Sequence, residues 1–140
     1  MRYLIDTNII VYMIGDPDSL SDDVKELISE PDALLYASAE SAKELVVAYR
    51  NKGLFAKRWK SPEDMLHSIE QEHYIEFLPV RMEHIFTYSH MEINERQCHK
   101  DPSDHVIIAH AITERMPLIS SDTRFEFYRS QGLDLIFNRK

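Results

Sequence analysis

The side chains of this sequence best suited to chemistry are carboxylates placed where short apolar runs end. Tyr3-Leu4-Ile5 delivers Asp6, followed by Thr7 and Asn8, and Leu118-Ile119 delivers Ser120, Ser121 and Asp122. In an open parallel sheet, ligands bind in the crevice beyond the carboxyl ends of the strands, so residues directly after a strand are the first candidates for function. Each aspartate alone also suits the ordinary task of capping the helix that follows it. If the two strands are neighbours, however, their carboxylates converge. Two like charges about 4 Å apart repel by about 4 kcal/mol at an effective dielectric of about 20. Such a pair requires a proton or a cation.

Asp101-Pro102-Ser103-Asp104 adds two more acids within one turn. Asp101 as cap, Pro102 at the first helical position and Asp104 reaching back resemble a capping box, which accounts for Asp101 better than for Asp104. The helix they open, from Val106-Ile107-Ile108-Ala109 onward, is apolar enough to be central. Glu44 falls roughly opposite the stripe Ala42, Leu45, Val46 and Tyr49, so periodicity leaves it on a solvated face with Glu40 and does not choose between them. His99, His105 and His110 flank the Asp101–Asp104 segment but match no His/Cys metal spacing, and are expected to be surface or partly packed residues. Cys98 has no identifiable base, which predicts an inert thiol.

The elements that must position these acids alternate in type. Apolar runs predict strands at residues 3–5, 34–37, 74–77, 117–120 and 133–137. Ser21 caps a helix over 22–30, and a second helix carries the Ala42–Tyr49 stripe to an end near Gly53. Ser61-Pro62-Glu63 opens a helix to about Glu72, another runs from Met82 to about Ile93, and a short helical turn is expected near Phe125. Strands separated by helices imply right-handed crossovers and a parallel sheet covered on both faces. The expected fold is a three-layer α/β/α sandwich with four to five parallel strands, one domain over residues 1–140.

The 140 residues are 44% hydrophobic and 29% charged, the composition of a globular rather than a disordered chain. No segment suits a bilayer span, Asp6 interrupts the apolar N-terminal run, and the single cysteine agrees with a reducing compartment, so a cytoplasmic location is expected. The net charge of −8 disfavours a protein that coats nucleic acid non-specifically. Its distribution is uneven: residues 50–60, RNKGLFAKRWK, hold five basic side chains and no acid. Arg50, Lys52, Lys57, Arg58 and Lys60 are thus either a solvated counterweight to the acids or a phosphate-binding patch, with Phe55 and Trp59 available to stack on bases.

The opening YLIDTN, residues 38–54 (SAESAKELVVAYRNKGL), residues 99–111 (HKDPSDHVIIAHA) and residues 117–125 (PLISSDTRF) resemble PIN-domain ribonucleases. Among these they are most similar to VapC-type toxins of bacterial toxin-antitoxin pairs. The likeness runs nearly end to end. It implies that Asp6, Glu44, Asp104 and Asp122 are the catalytic, metal-holding acids, that Asp101 supports them, and that Thr7, Asn8, Ser120 and Ser121 are polar groups near the metal. Ser103 and His105 stand where DPFDR-type relatives have Phe and Arg, and Ala48 where many have a basic residue. The resemblance further implies an antitoxin partner and a homodimer.

An all-carboxylate ligand set favours Mg²⁺ or Mn²⁺, one or two ions, over zinc. The expected activity is metal-dependent hydrolysis of RNA phosphodiesters, with residues 50–60 guiding the strand past the acids. Three other functions compete with it. One is an RNA-processing nuclease of the same family outside any toxin-antitoxin system, and another is a silent metal-binding interaction module. The third, phosphatase chemistry with Asp6 as nucleophile, usually wants a second acid two residues on, where Asn8 stands.

Overall fold

The computed structural model describes residues 1–139; Lys140, included in the expected domain, lies outside the described residues. Five parallel strands form one sheet: β1 (Arg2–Ile5), β2 (Leu34–Ser38), β3 (Ile75–Leu78), β4 (Leu118–Ser120) and β5 (Leu135–Phe137), in the order β3-β2-β1-β4-β5. Growth proceeds outward from β1 to β3 and then restarts on the other side of β1, which makes the β1/β4 junction the point where strand order reverses. Register there pairs Leu4 with Leu118 and Ile5 with Ile119. The two strands that end in acids are therefore neighbours.

The helices are α1 (Thr7–Gly15), α2 (Asp22–Ile28), α3 (Ala39–Lys52), α4 (Pro62–Glu72), α5 (Met82–His90) and α6 (Pro102–Glu114), with 3-10 segments at Pro17–Ser19 and Thr123–Gln131. Successive strand residues point to opposite faces. Tyr3, Ile5 and Ile119 accordingly join a core with Ile9, Ile10, Val24, Leu45, Met65 and Ile69, whereas Leu4 and Leu118 join Ile107, Ile108, Phe125 and Tyr128 on the other side. The sandwich has the expected three layers. Helix α1 is rich in β-branched residues, which are weak helix formers. Burial of Ile9 and Ile10, each at 0% exposure, contributes about 1.5–3 kcal/mol per side chain and holds the helix in place.

Caps follow the sequence closely: Ser21 and Ser61 accept from Val24 N–H and Asp64 N–H, and Gly53 ends α3 in the left-handed conformation at φ 69°. Helix α5 stops at His90, short of the expected Ile93. Tertiary hydrogen bonds take the chain away from the helix there: the Gln131 amide bonds both N–H and C=O of Glu92, and Asn94 N–H donates to Tyr128 Oη. In the second 3-10 segment a period of three places Phe125 and Tyr128 on one side, and both are fully buried.

Candidate metal centre

At the β1/β4 junction, Asp6 is 3% exposed and each of its oxygens is held. Oδ1 accepts Thr7 N–H at 2.8 Å, and Oδ2 accepts Ser120 Oγ at 2.7 Å and Asn8 Nδ2 at 3.2 Å. Thr7 also reaches across to α3, where its hydroxyl donates to Glu44 Oε1 at 2.6 Å. One residue thus orients two acids. On the β4 side, Ser120 Oγ accepts Asp122 N–H, while Ser121 N–H donates to Asn8 Oδ1 and Ser121 Oγ accepts from Asn138 Nδ2. The four polar residues around Asp6 lace the ends of the two strands together.

Glu44 is half-buried, against the solvated position expected from periodicity. Periodicity describes a helix against its nearest layer, but α3 packs on α1 and α6 as well as on the sheet. The structure also separates Glu44 from Glu40. Glu40 Oε1 takes Lys43 Nζ at 2.6 Å and Ser103 Oγ at 3.0 Å, which neutralises it, whereas the hydrogen bond to Glu44 comes from a neutral hydroxyl.

Asp101 caps α6, accepting Ser103 N–H at 2.9 Å. Ligand atoms of Glu44, Asp101 and Asp104 lie within 4.8 Å of one another, and so do those of His99, Asp104 and Asp122. Asp104 is common to both groups. Its Oδ2 meets His99 Nε2 at 2.9 Å, and no hydrogen bond among the described residues reaches its Oδ1. Asp122 stands apart chemically: Arg124 Nε and Nη2 grip its two oxygens at 3.0 and 2.7 Å. The same guanidinium is 3.8 Å from Asp104.

Electrostatics divide these acids in the same way. Burial, helped by the charges of Asp104 and Glu44, pushes the Asp6 carboxyl up to about 7 even against the pull of its Ser120 and Thr7 hydrogen bonds. Burial and the carboxylates of Asp101, Glu44 and Asp122 push Asp104 up to about 7, opposed by Arg124. Burial also raises Glu44, against its Thr7 bond. For Asp122 the upward push of burial is outweighed by Arg124, and its carboxyl falls below the usual range. Glu44, Asp101 and Asp104 crowd together with oxygens to spare, while Asp6, in neither of the two groups and with both oxygens held, is joined to them through Thr7 and through its charge. That donor set fits a hard divalent cation, which would relieve the repulsion that protons otherwise relieve.

Glu44 and Thr7 open onto a cleft of about 400 Å³ lined also by Lys43, Val47, Ala48, Asn51, Lys52 and Ser103. A larger hollow of about 590 Å³ lies between α5, α6 and the second 3-10 segment; of its lining residues only Glu92 is acidic, so it offers no comparable chemistry. Of the basic block, Lys52 borders the acidic cleft. Arg50, Lys57, Arg58 and Lys60 are exposed but do not line it. Arg58 donates to Ile14 O and lies over the Trp59 ring at 5.0 Å. Phe55 and Trp59, expected as stacking surfaces, are half-buried against the core, edge to face at 5.5 Å.

Sequence reasoning missed His99, Arg124 and Lys43. His84, His99, His105 and His110, at 0–4% exposure, are interior residues and not surface ones. Their apolar flanks (Val106 to Ala109 beside His105 and His110) were the available signal. Arg124, two residues beyond Asp122, had the spacing to reach back to it.

A PIN-domain family model matches residues 3–130. No curated protein matches the chain. Among solved structures it is similar to VapBC2 from Rickettsia felis bound to a DNA fragment from their promoter, at TM-score 0.74 and 21% identity over 98% of both chains. VapBC-1 from nontypeable Haemophilus influenzae gives 0.68 and 25% over 100% of both, and DNA-bound VapBC from Salmonella typhimurium 0.68 and 18% over 98% of both.

Proposed function

The chain belongs to the PIN-domain family, and on that premise we propose that it is a metal-dependent endoribonuclease, a single PIN domain over residues 1–140 acting as the toxin of a toxin-antitoxin pair. The observation that carries this reading is the gathering of Glu44, Asp101 and Asp104, with ligand atoms within 4.8 Å of one another, beside the buried Asp6 at the strand-order reversal. Asp6, Glu44 and Asp104 would hold Mg²⁺ or Mn²⁺, with Asp101 beside them. Asp122 joins the ligands only when Arg124 releases an oxygen; otherwise it keeps Arg124 at the rim. When bound, the ion supplies an activated water and neutralises charge on the attacked phosphate.

The remaining work falls to the chain's own residues. Thr7, Asn8, Ser120 and Ser121 keep the carboxylates of Asp6 and Glu44 oriented, so that little rearrangement is needed on binding. Lys52 at the cleft, with Arg50, Lys57, Arg58 and Lys60 farther along, draws the RNA backbone toward an otherwise repulsive pocket. The solved VapBC structures support an antitoxin as the protein partner. A homodimer is the second. Met82 and Phe86, one turn apart on α5 and 62% and 63% exposed, are apolar surface that a protein partner would cover. A cytoplasmic location belongs to the same proposal; no helix among the described residues is long and apolar enough to cross a membrane.

The test is cleavage of labelled RNA with Mg²⁺, with Mn²⁺ and with chelator, together with growth on expression with and without the product of the adjacent gene. Metal-dependent cleavage and antitoxin-relieved arrest are expected. Full cleavage by the Asp6→Asn, Asp104→Asn double variant sinks the reading, and cleavage without growth arrest moves the protein to RNA processing.

A further inference from the structure

We propose that Tyr128 and His99 are positioning residues for Asp104, linked to it by a relay of hydrogen bonds whose direction is set by one backbone amide. The inference rests on the metal-nuclease reading of the same site. Asn94 N–H lies 3.1 Å from Tyr128 Oη, Tyr128 Oη 2.9 Å from His99 Nδ1, and His99 Nε2 2.9 Å from Asp104 Oδ2. Tyr128 and His99 are 0% exposed and Asn94 2%, so water does not compete for these bonds.

The order of donors follows from what each atom can reach. A backbone amide can only donate, so Tyr128 Oη accepts from Asn94, and among the described residues His99 Nδ1 is the one acceptor within hydrogen-bond distance of its single hydrogen. A ring nitrogen that accepts carries no proton. The proton of a neutral imidazole then sits on Nε2, aimed at Asp104 Oδ2. The ring cannot readily turn away, since Tyr128, Phe125 and His105 pack around it at centroid distances of 5.6, 5.5 and 4.8 Å. His105 Nε2 also bonds His99 O at 2.9 Å, which ties down the loop that carries the ring.

The consequence falls on a single oxygen. With Oδ2 anchored to His99, Asp104 presents Oδ1 to the acids of the crevice in a fixed orientation. Outer partners of this type influence a metal site by orienting its ligands, and their loss typically weakens metal affinity by about 10- to 100-fold. Nothing in the opening motifs points to this role, because Tyr128, His99 and Asp104 come from a 3-10 segment, a loop and a helix.

The experiment uses the full chain as wild type, Tyr128→Phe, His99→Leu and His99→Gln. In metal-free protein labelled with ¹⁵N-histidine, His99 is expected as the Nε2–H tautomer, and Tyr128→Phe, which keeps the ring and loses the hydroxyl, is expected to mix the tautomers. Mn²⁺ affinity by calorimetry is expected to fall about tenfold in Tyr128→Phe and further in His99→Leu, with partial recovery in His99→Gln, whose amide can still donate. Cleavage at saturating Mn²⁺ should recover more in Tyr128→Phe than at limiting Mn²⁺. Thermal melting identifies the folded variants that enter the comparison. An Nδ1–H tautomer in the wild type overturns the relay, and so does a folded Tyr128→Phe or His99→Gln series with wild-type Mn²⁺ affinity throughout. Absence of Mn²⁺ binding by the wild type overturns the nuclease reading itself, a result distinct from equal binding by wild type and variants.

Discussion

Helix α6 has a cluster of titratable side chains at each end. At its first turn Asp104 meets Asp101, Glu44 and the charge of Asp6, all acids, with oxygens left over. Toward its last turn His110 stacks on His84 of α5 at 4.0 Å, and Glu114 meets His84 Nε2 at 2.7 Å. Ligand atoms of Glu83, His84 and Glu114 also lie within 4.8 Å of one another. Proximity therefore does not distinguish the two ends. Their hydrogen bonds do: His84 Nδ1 already accepts Arg81 N–H and its Nε2 faces Glu114, while His110 Nδ1 bonds Ser38 Oγ, the cap of α3. The His84–His110 end answers its polar groups from within the fold, whereas at the Asp104 end one oxygen of Asp104 has a hydrogen bond, from His99, and Glu44 takes only a neutral hydroxyl. A cluster that closes on itself is structural; carboxylates held together with oxygens free carry an energetic cost that a bound cation would remove.

Breaking one ligand should have the largest effect. Asp104→Asn is expected to lower metal-dependent RNA cleavage by more than about 100-fold, beyond the usual loss for an outer partner, while Glu114→Gln leaves cleavage near wild type, as measured by initial rates. Stability should respond the other way round. His84→Ala, which empties a buried site and strands Glu114, is expected to cost about 2–4 kcal/mol in urea unfolding with unchanged Mn²⁺ affinity. Asp104→Asn, keeping an acceptor for His99 and removing a repelled charge, is expected to stabilise the metal-free protein at pH 8 by on the order of 1 kcal/mol.

The two ends should also titrate with opposite slopes. Asp6 and Asp104 keep protons in the folded state up to about pH 7, whereas the unfolded chain releases them near the ordinary aspartate value of 3.8. The native state thus binds more protons in that window, and metal-free stability falls as pH rises through it. His110 behaves in reverse. Burial, then the His84 ring, pushes it down to about 4 from 6.5, so protonation favours unfolding and stability rises with pH between those values. Burial also holds His73, His99 and His105 below the usual imidazole range, so the histidines oppose the acids throughout the window. Asp104→Asn, which removes one of the opposing acids, is expected to make the melting temperature of the chelated protein rise more steeply with pH up to about 7 than in wild type. Parallel pH profiles for the chelated wild type and the variant would contradict the reading of the Asp104 end.

The smallest effect separates the cleft from the rest of the basic block. Lys52→Ala is expected to weaken RNA binding and reduce the slope of log affinity against log salt by about 0.7, the value for one phosphate contact on a single strand. Lys57→Ala, farther from the acids, should leave cleavage of short RNA unchanged. Fluorescence anisotropy across a salt series reads both.

Much of this was legible along the chain. The strand-ending acids Asp6 and Asp122, the Asp101 cap, the serine caps and the Gly53 terminus all depend on neighbours within a few residues, and local pattern reports local structure. Glu44 was not separable from Glu40 on that basis, because Ser103 on α6 and Thr7 on α1 make the distinction. The interior histidines and the early end of α5 escaped for the same reason. Their partners are Tyr128, Ser38, Glu114 and Gln131, 29 to 72 residues away in the chain.

Sequence alone determined the alternating elements, the parallel sheet and a set of acids at strand and helix ends, since side-chain period and capping preference act over a few residues. Only the tertiary structure decided which acids face one another, which of them Thr7 bridges, and which histidine holds Asp104. Charge repulsion and hydrogen bonding depend on distances through space, and those distances exist only once β4 has been laid beside β1.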